Sequence, residues 1–198
     1  MAKDYSEDQL IQKSTAELLE KELGWTSVMA WDAEVLGEAG TLGRKSYHEV
    51  LFVRHFCKAL KSLNPWMTDK QLAEAVERMT EHISSQSLMQ INEQKYQYIK
   101  DGIPVTRTKP NGETEEVKAK VIDFASPDKN EFMCVRELWV YGSLYRRRAD
   151  IVGFVNGIPL LFMELKNHDV EVVDAFNNNY RDYLDIFDAS LSFNTFII

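Results

Sequence analysis

Three residues whose types and spacing could do chemistry together, Asp150, Glu164 and Lys166, lie on the stretch Arg146 to Lys166. Thirteen residues separate the two acids, and only Leu165 stands between Glu164 and Lys166. Two carboxylates on neighbouring strands make a hard oxygen site suited to Mg²⁺, which keeps waters and a substrate phosphate in its remaining positions. A metal held there can activate a water and stabilise the charge that builds on a phosphate under attack. A lysine beside that water stabilises charge, or acts as base if its pKa is depressed. His168 is close in sequence but has no partner at ligand spacing.

The elements that must position the three residues are two strands, about Ala149–Val155 and Pro159–Lys166, joined at Asn156-Gly157. In a strand Glu164 and Lys166 share one face, and Met163 and Leu165 the other. Charges buried there cost several kcal/mol unless they are paired or bind a metal. A plain two-residue turn sets Asp150 opposite Met163; a three-residue loop or a bulge sets it opposite Glu164. The chemistry therefore predicts the longer loop or a bulge. A solvated edge hairpin would also carry such a triple, but Leu160–Met163 is apolar where an edge strand more often alternates.

Upstream the pattern is helical. Ser6 with Gln9 forms a capping box, and Leu10, Ile11, Leu18, Leu19 and Leu23 follow at helical spacing, giving a helix over about 6–23 closed by Gly24. A short strand is expected over Trp25–Trp31. A helix over Tyr47–Leu63 carries Val50, Leu51, Val53, Phe56 and Leu60 and ends at Asn64-Pro65. The next starts at Thr68 with Gln71 as capping partner and carries Leu72, Val76, Met79 and Ile83; another spans about Ser87–Asp101. The period then becomes alternating. Val105–Lys109 and Val117–Phe124 read as a hairpin, followed by strands at about Glu131–Val140 and the two above, a helix from Asp174 to about Phe187, and a strand Ser192–Ile198. The expectation is one α/β (α+β) domain over 1–198: a mainly helical part, 1–103, and a sheet bearing the site, 104–198. A last strand with no turn after it reads as part of a longer chain.

These motifs resemble a known family. Asp150 with Glu164-Leu165-Lys166 is the pattern of the PD-(D/E)XK nuclease superfamily. The surrounding residues are similar to the amino-terminal domain of type I restriction R subunits. They are Leu42-Gly43-Arg44, Ala59-Leu60 with Leu63-Asn64-Pro65, Gly102-Ile103-Pro104-Val105, Ile122-Asp123-Phe124, Asn130-Glu131-Phe132, Arg148 to Asp150, Phe154 to Leu160 and Glu164 to Asn167. The resemblance covers almost the whole chain. It implies a restriction-endonuclease-like core, a central mixed β-sheet flanked by helices, and Mg²⁺- or Mn²⁺-dependent cleavage of double-stranded DNA without intrinsic sequence specificity. It assigns Asp150, Glu164 and the Leu165 backbone carbonyl to the metal and Lys166 as the catalytic lysine. Asn179 and Tyr183 match a Gln-x-x-x-Tyr element as supporting residues, with Asn in place of Gln, and Ala149 stands where Pro commonly precedes the aspartate. An early glutamate often assists, and Glu7 or Glu17 could supply it. The resemblance further implies methyltransferase and specificity subunits as partners, and ATP used by a helicase-like motor downstream.

Composition bounds what else the chain does. At 44% hydrophobic it is an ordinary globule with enough apolar residues for a core. No apolar run approaches a membrane span and the start lacks a signal-peptide order, so a cytoplasmic protein with no membrane partner is expected. Cys57 and Cys134 lie far apart with no C-x-x-C pairing, so neither a zinc site nor a disulfide framework is implied. A net charge of −8 argues against a protein that coats DNA unaided. Arg146, Arg147 and Arg148 are a candidate DNA contact just before Asp150, or a surface cluster offsetting the acids. Trp66, Trp139 and Tyr141 read as packing residues, because no basic stripe interleaves with them. Gly40 to Ser46 lacks the adjacent Gly-Lys of a phosphate loop, so no nucleotide site is expected here. The competing functions are an assembly or motor-coupling module with an idle nuclease site, and a stand-alone repair nuclease.

Overall fold

In the computed structural model the described residues are 7–31, 33–81, 85–142, 146–165 and 196–197. Their elements run α1 (Glu7–Leu23), β1 (Thr26–Met29), α2 (Val53–Leu63), α3 (Asp69–Thr80), α4 (Leu88–Asp101), β2 (Ile103–Thr108), β3 (Thr114–Ala119), β4 (Phe132–Tyr141), β5 (Arg146–Val155), β6 (Ile158–Met163) and β7 (Phe196–Ile197). Five strands form one mixed sheet in the order β1-β4-β5-β6-β7; β1 pairs parallel with β4, the β4-β5-β6 pairings are antiparallel, and β6 pairs parallel with β7. The mixed α+β architecture expected from the sequence is the one observed. The helix expected over Asp174–Phe187 lies outside the described residues, as do Ser6 and Ile83.

The main core joins one sheet face to α2 and α3 through Phe56, Leu60, Leu72, Met79, Val135, Val152 and Phe154. On the other face α1 covers Cys134 and Ile151 with Ala16 and Leu19, flanked by Trp25, Met163 and Leu165. Both capping boxes that begin α3 and α4 are present: Thr68 with Gln71, and Ser87 with Gln90. Gln71 reaches further, its Nε2 donating to the Thr106 carbonyl of β2 at 2.9 Å.

Four expectations are corrected. The buried stripe of α1 is Gln12, Ala16 and Leu19, whereas Ile11, Leu18 and Leu23 are exposed, Leu18 to 59%. Helix α2 begins at Val53, six residues later than its apolar pattern; Val50, Leu51 and Phe52 are buried without being helical, because the Phe52 N–H is taken by the Gly157 carbonyl at 2.9 Å. The hairpin β2–β3 forms a separate two-stranded sheet ending at Ala119. Beyond it, Val121 and Ile122 are buried outside any strand, and the Asp123 carboxylate accepts from the Ala125 and Ser126 amides in a turn. Finally β5 starts earlier, at Arg146, and β6 stops earlier, at Met163.

The β5–β6 turn is held from three sides by one buried side chain. Asn156 Oδ1 accepts from the Glu131 N–H at 2.8 Å, while its Nδ2 donates to the Val121 carbonyl at 2.8 Å and to Asn130 Oδ1 at 2.9 Å. Its backbone N–H donates to the Glu131 carbonyl at 2.8 Å. Asn156 has φ of 53° and Gly157 of 81°, the left-handed pair that a tight hairpin requires. A Cβ on Gly157 would stand 2.6 Å from the Phe52 carbonyl oxygen, so only glycine lets α2 begin against this turn. Replacing Asn156 with Ala strips partners from buried groups and is expected to cost about 2–4 kcal/mol in urea unfolding. Asn156→Gly loses the same hydrogen bonds but is spared the strain of a Cβ at positive φ, so it should be less damaging by a minor part. A loss in Asn156→Ala below about 1 kcal/mol would refute this role for the side chain.

A second buried polar group ties α4 to α3. Lys95 Nζ donates to the carbonyls of Arg78 at 2.6 Å and Glu81 at 3.1 Å, capping the end of α3. Burial lowers its pKa from 10.5 to about 8, against the opposing pull of Glu81. Between those two values the unfolded chain holds this proton more tightly than the folded one. The contribution of Lys95 therefore rises with pH across that window and is constant below it. Relative to Lys95→Met, the wild type should gain about 1–2 kcal/mol in urea unfolding between pH 8 and pH 9.5. A pH-independent difference would show that the lysine titrates normally.

Candidate active site

The site is built where β4, β5 and β6 change phase together. Val155 pairs with Ile158 across the two-residue turn and Phe154 with Pro159, but Gly153 then pairs with Leu161, leaving Leu160 as an extra residue on β6. Of the two alternatives read from the sequence, the bulge is the one taken. Pro159 has no N–H to give the ladder, and proline in a sheet is tolerated beside such an irregularity. Beyond the bulge Val152 pairs with Phe162 and Ile151 with Met163. The next step in that register is Asp150 with Glu164. Gly153 permits the close pairing, since a Cβ there would stand 2.9 Å from both Leu161 Cβ and a Trp25 ring carbon.

On the other side of β5, Arg136 pairs with Ile151 and Leu138 with Ala149, which sets Glu137 across from Asp150. Glu137 is a non-glycine residue with φ of 56°, an outlier for a strand interior. Val135 and Leu138, three apart, both face the main core, as do Ala149 and Val152. Each strand thus passes an extra residue at the same level, and β5 passes it at Asp150.

The Asp150 carboxylate is held from two elements. Its Oδ2 accepts from the Leu165 N–H at 2.7 Å, and its Oδ1 accepts from Gln12 Nε2 of α1 at 3.2 Å. Asp150, Glu164 and Leu165 are all part-buried, and Met163 and Leu165 both pack towards α1, the alternation expected for this strand. Lys166, His168, Asn179 and Tyr183 lie outside the described residues. Of Glu7 only the helical backbone is described. Glu17 points elsewhere: Lys21 at 3.1 Å and Lys13 at 3.8 Å pair with it, and Lys21 above all holds its carboxyl below the usual range. The residue α1 sends to Asp150 is Gln12, which the sequence reading did not single out. Its signal was present as a polar member of the i, i+4, i+7 set Gln12, Ala16, Leu19. Among the described residues no three His, Cys, Asp or Glu side chains gather as a metal-binding group.

Arg146 and Arg147 are exposed at the start of β5, and Arg148 is half-buried. The Arg148 guanidinium pairs with Glu137 at 2.5 Å and lies 4.4 Å from the Trp31 ring centre and 5.8 Å from that of Trp139. Arg146 stands over the other approach to Trp139 at 5.6 Å, and Arg107 over Trp66 at 5.9 Å. Cations therefore do interleave with these indoles, contrary to the expectation. Arg146 and Arg148 meet Trp139 through the β4-β5 pairing, whereas Trp31 after β1 and Trp66 between α2 and α3 meet Arg148 and Arg107 through packing of distant segments.

The family described as type I restriction enzyme R protein N terminus matches residues 4–198. The chain belongs to that family. It is 32% identical over 148 residues, 72% of its length, to a putative type I restriction enzyme MjaIXP endonuclease subunit of Methanocaldococcus jannaschii. It is 30% identical over 178 residues, 87% of its length, to the type I restriction enzyme HindI endonuclease subunit of Haemophilus influenzae. A further match of 39% identity spans 69 residues of a putative MjaVIIP endonuclease subunit, also of M. jannaschii. The matched segments span 14% and 16% of the first two relatives' own length. No helix among the described residues is long and apolar enough to cross a membrane.

Glu137 has 6% of its side chain exposed and Arg148 36%. Arg148→Ala leaves a carboxylate inside the sheet without its cation and is expected to cost about 1–3 kcal/mol in urea unfolding, discounted for the partial exposure of Arg148. Adding Glu137→Gln should recover part of that loss. Strict additivity of the two changes would mean that they do not act as a pair.

Proposed function

We propose that this family member is the Mg²⁺-dependent endonuclease domain of a type I restriction R subunit, cutting double-stranded DNA with no sequence preference of its own. The observation that carries the reading is the bulge at Leu160, which moves Asp150 from the level of Met163 to that of Glu164. Pro159 accounts for an irregularity in β6, and its position is the one that brings the two carboxylates level, as a two-carboxylate site requires.

The donor chemistry fits a hard divalent ion. Asp150, Glu164 and the Leu165 carbonyl would hold it, an all-oxygen set of the kind Mg²⁺ takes while keeping waters for itself. When bound, the ion supplies Lewis-acid stabilisation of the phosphate and an activated water. Lys166, two residues beyond Glu164, adds a positive charge against the oxygens that become more negative as the bond to phosphorus forms. Asn179 and Tyr183 support the substrate. Arg146 and Arg147, exposed on the strand that leads into Asp150, meet the phosphodiester backbone, a contact that positions DNA without reading its bases.

Such a division of labour leaves recognition of the target to a specificity subunit, methylation to a third chain, and ATP-driven movement to a motor beyond the residues described. The net charge of −8 is consistent with a domain to which DNA is delivered by the rest of a complex.

In the assembled restriction enzyme, Asp150→Ala and Lys166→Ala should each lower plasmid cleavage by about 10²–10³-fold or more while ATP-driven translocation continues. Cleavage at the wild-type rate in either variant would mean that the chain is an assembly or motor-coupling module and that the cut is made elsewhere.

A further inference from the structure

Among the residues of helix α1 whose side chains are described, Ala16 and Leu19 are buried apolar residues and Gln12 is a buried polar one. Gln12 is 4% exposed. A primary amide removed from water is costly unless it is hydrogen-bonded, and the bond given for this one is to Asp150 Oδ1, 138 positions away in the chain. The apolar residues Ile11 and Leu18, which could have faced the sheet, are turned outward instead. The helix is thus rotated so that its polar residue, rather than its largest apolar ones, faces the carboxylate.

The two bonds on Asp150 divide the carboxylate between them. Gln12 holds Oδ1 from α1 and Leu165 holds Oδ2 from the end of β6, so rotation of the group is blocked from both sides. Because the donor is a neutral amide, it orients the carboxylate without competing for its charge, as a lysine or arginine at the same place would.

We propose that Gln12 is a positioning residue for the nuclease site, holding the Asp150 carboxylate in the orientation that accepts a divalent ion. The inference rests on the metal-dependent reading given above. It differs from the expectation that an acidic residue of α1 joins the site, since Gln12 donates to a ligand instead of being one. Loss of a partner that orients a metal ligand typically costs 10- to 100-fold in metal affinity.

The test uses Mn²⁺ alone as probe, titrated by calorimetry into the wild-type chain, Gln12→Met and Asp150→Ala. Methionine fills nearly the same volume on the buried face of α1 and removes only the donor. The expected result is binding to the wild type, binding 10- to 100-fold weaker in Gln12→Met with a cooperative melt retained, and none in Asp150→Ala. Equal affinity in the wild type and Gln12→Met overturns the role of Gln12 and leaves the metal site standing. Absence of binding to the wild type overturns both. A measurement on the wild type alone guards against a variant that does not fold. The side-chain amide resonance of Gln12 should shift on addition of Mg²⁺, and a resonance that stays in place while the ion binds excludes the coupling.

Discussion

The buried amide of Asn156 is the constraint from which the rest of the sheet takes its register. It sits at the tip of the β5–β6 hairpin and is bonded to the entrance of β4 and to the segment that leads out of the small sheet. The turn beside it presents the Gly157 carbonyl to the first free amide before α2. One side chain therefore fixes where three connections converge. A hairpin tip is ordinarily solvated and free to slip. Anchored at this tip, β6 cannot move along β5 as a unit, and any change of register must be made inside the strands.

The change of register is made by Leu160 on β6, opposite Gly153 and Phe154, while Glu137 on β4, level with Asp150, interrupts the strand without shifting the β4–β5 register. A residue in the left-handed region costs of order 1–3 kcal/mol, and a buried carboxylate costs more unless it is paired. Glu137 carries both burdens. Its pairing with Arg148, itself sandwiched near Trp31 and Trp139, offsets the second but not the first. A strand evolved for stability alone would not retain such a residue at its centre. The irregularity has a clear local consequence: Ala149 and Val152 both reach the main core, and Asp150 is released from the alternation between them.

How far the sequence revealed this differs from element to element, for physical reasons. The capping boxes at Thr68 and Ser87 are local, four-residue devices, and they mark the true starts of α3 and α4. The start of α2 is not local. Val50 and Leu51 carry helical spacing and are buried, but the chain there is fixed by Gly157, a hundred residues downstream. Helix α1 misleads for a different reason: Ile11, Leu18 and Leu23 lie outward, and the buried residues described on it are Gln12, Ala16 and Leu19. At the site, Asp150 and Glu164 could be paired from sequence because the requirement of shared chemistry selected among possible turns. The bulge was one of two solutions, and only Pro159 hinted at its place. Glu137 and Gln12 carried no such mark, since each meets Asp150 through a pairing or a packing contact between distant segments.

The acidic balance of the chain and its proposed substrate are reconciled by where the positive charge lies. A net charge of −8 repels DNA at distances within the screening length, about 8 Å at physiological salt, and beyond it matters little. Close contact is decided by the residues at the surface of approach. Arg146 and Arg147 are exposed three to four residues before Asp150 on the same strand, so the basic end of β5 and the carboxylate are about 10–13 Å apart along the extended chain. That separation is about three to four times the ~3.4 Å axial spacing of charges on one DNA strand. Arg148, by contrast, is held back by Glu137 and two indoles, and contributes to the fold of the strand in place of its charge to a ligand. The three consecutive arginines are therefore not equivalent. On the proposed reading the outer two would meet a phosphodiester backbone, and the inner one keeps the strand carrying Asp150 in its irregular path.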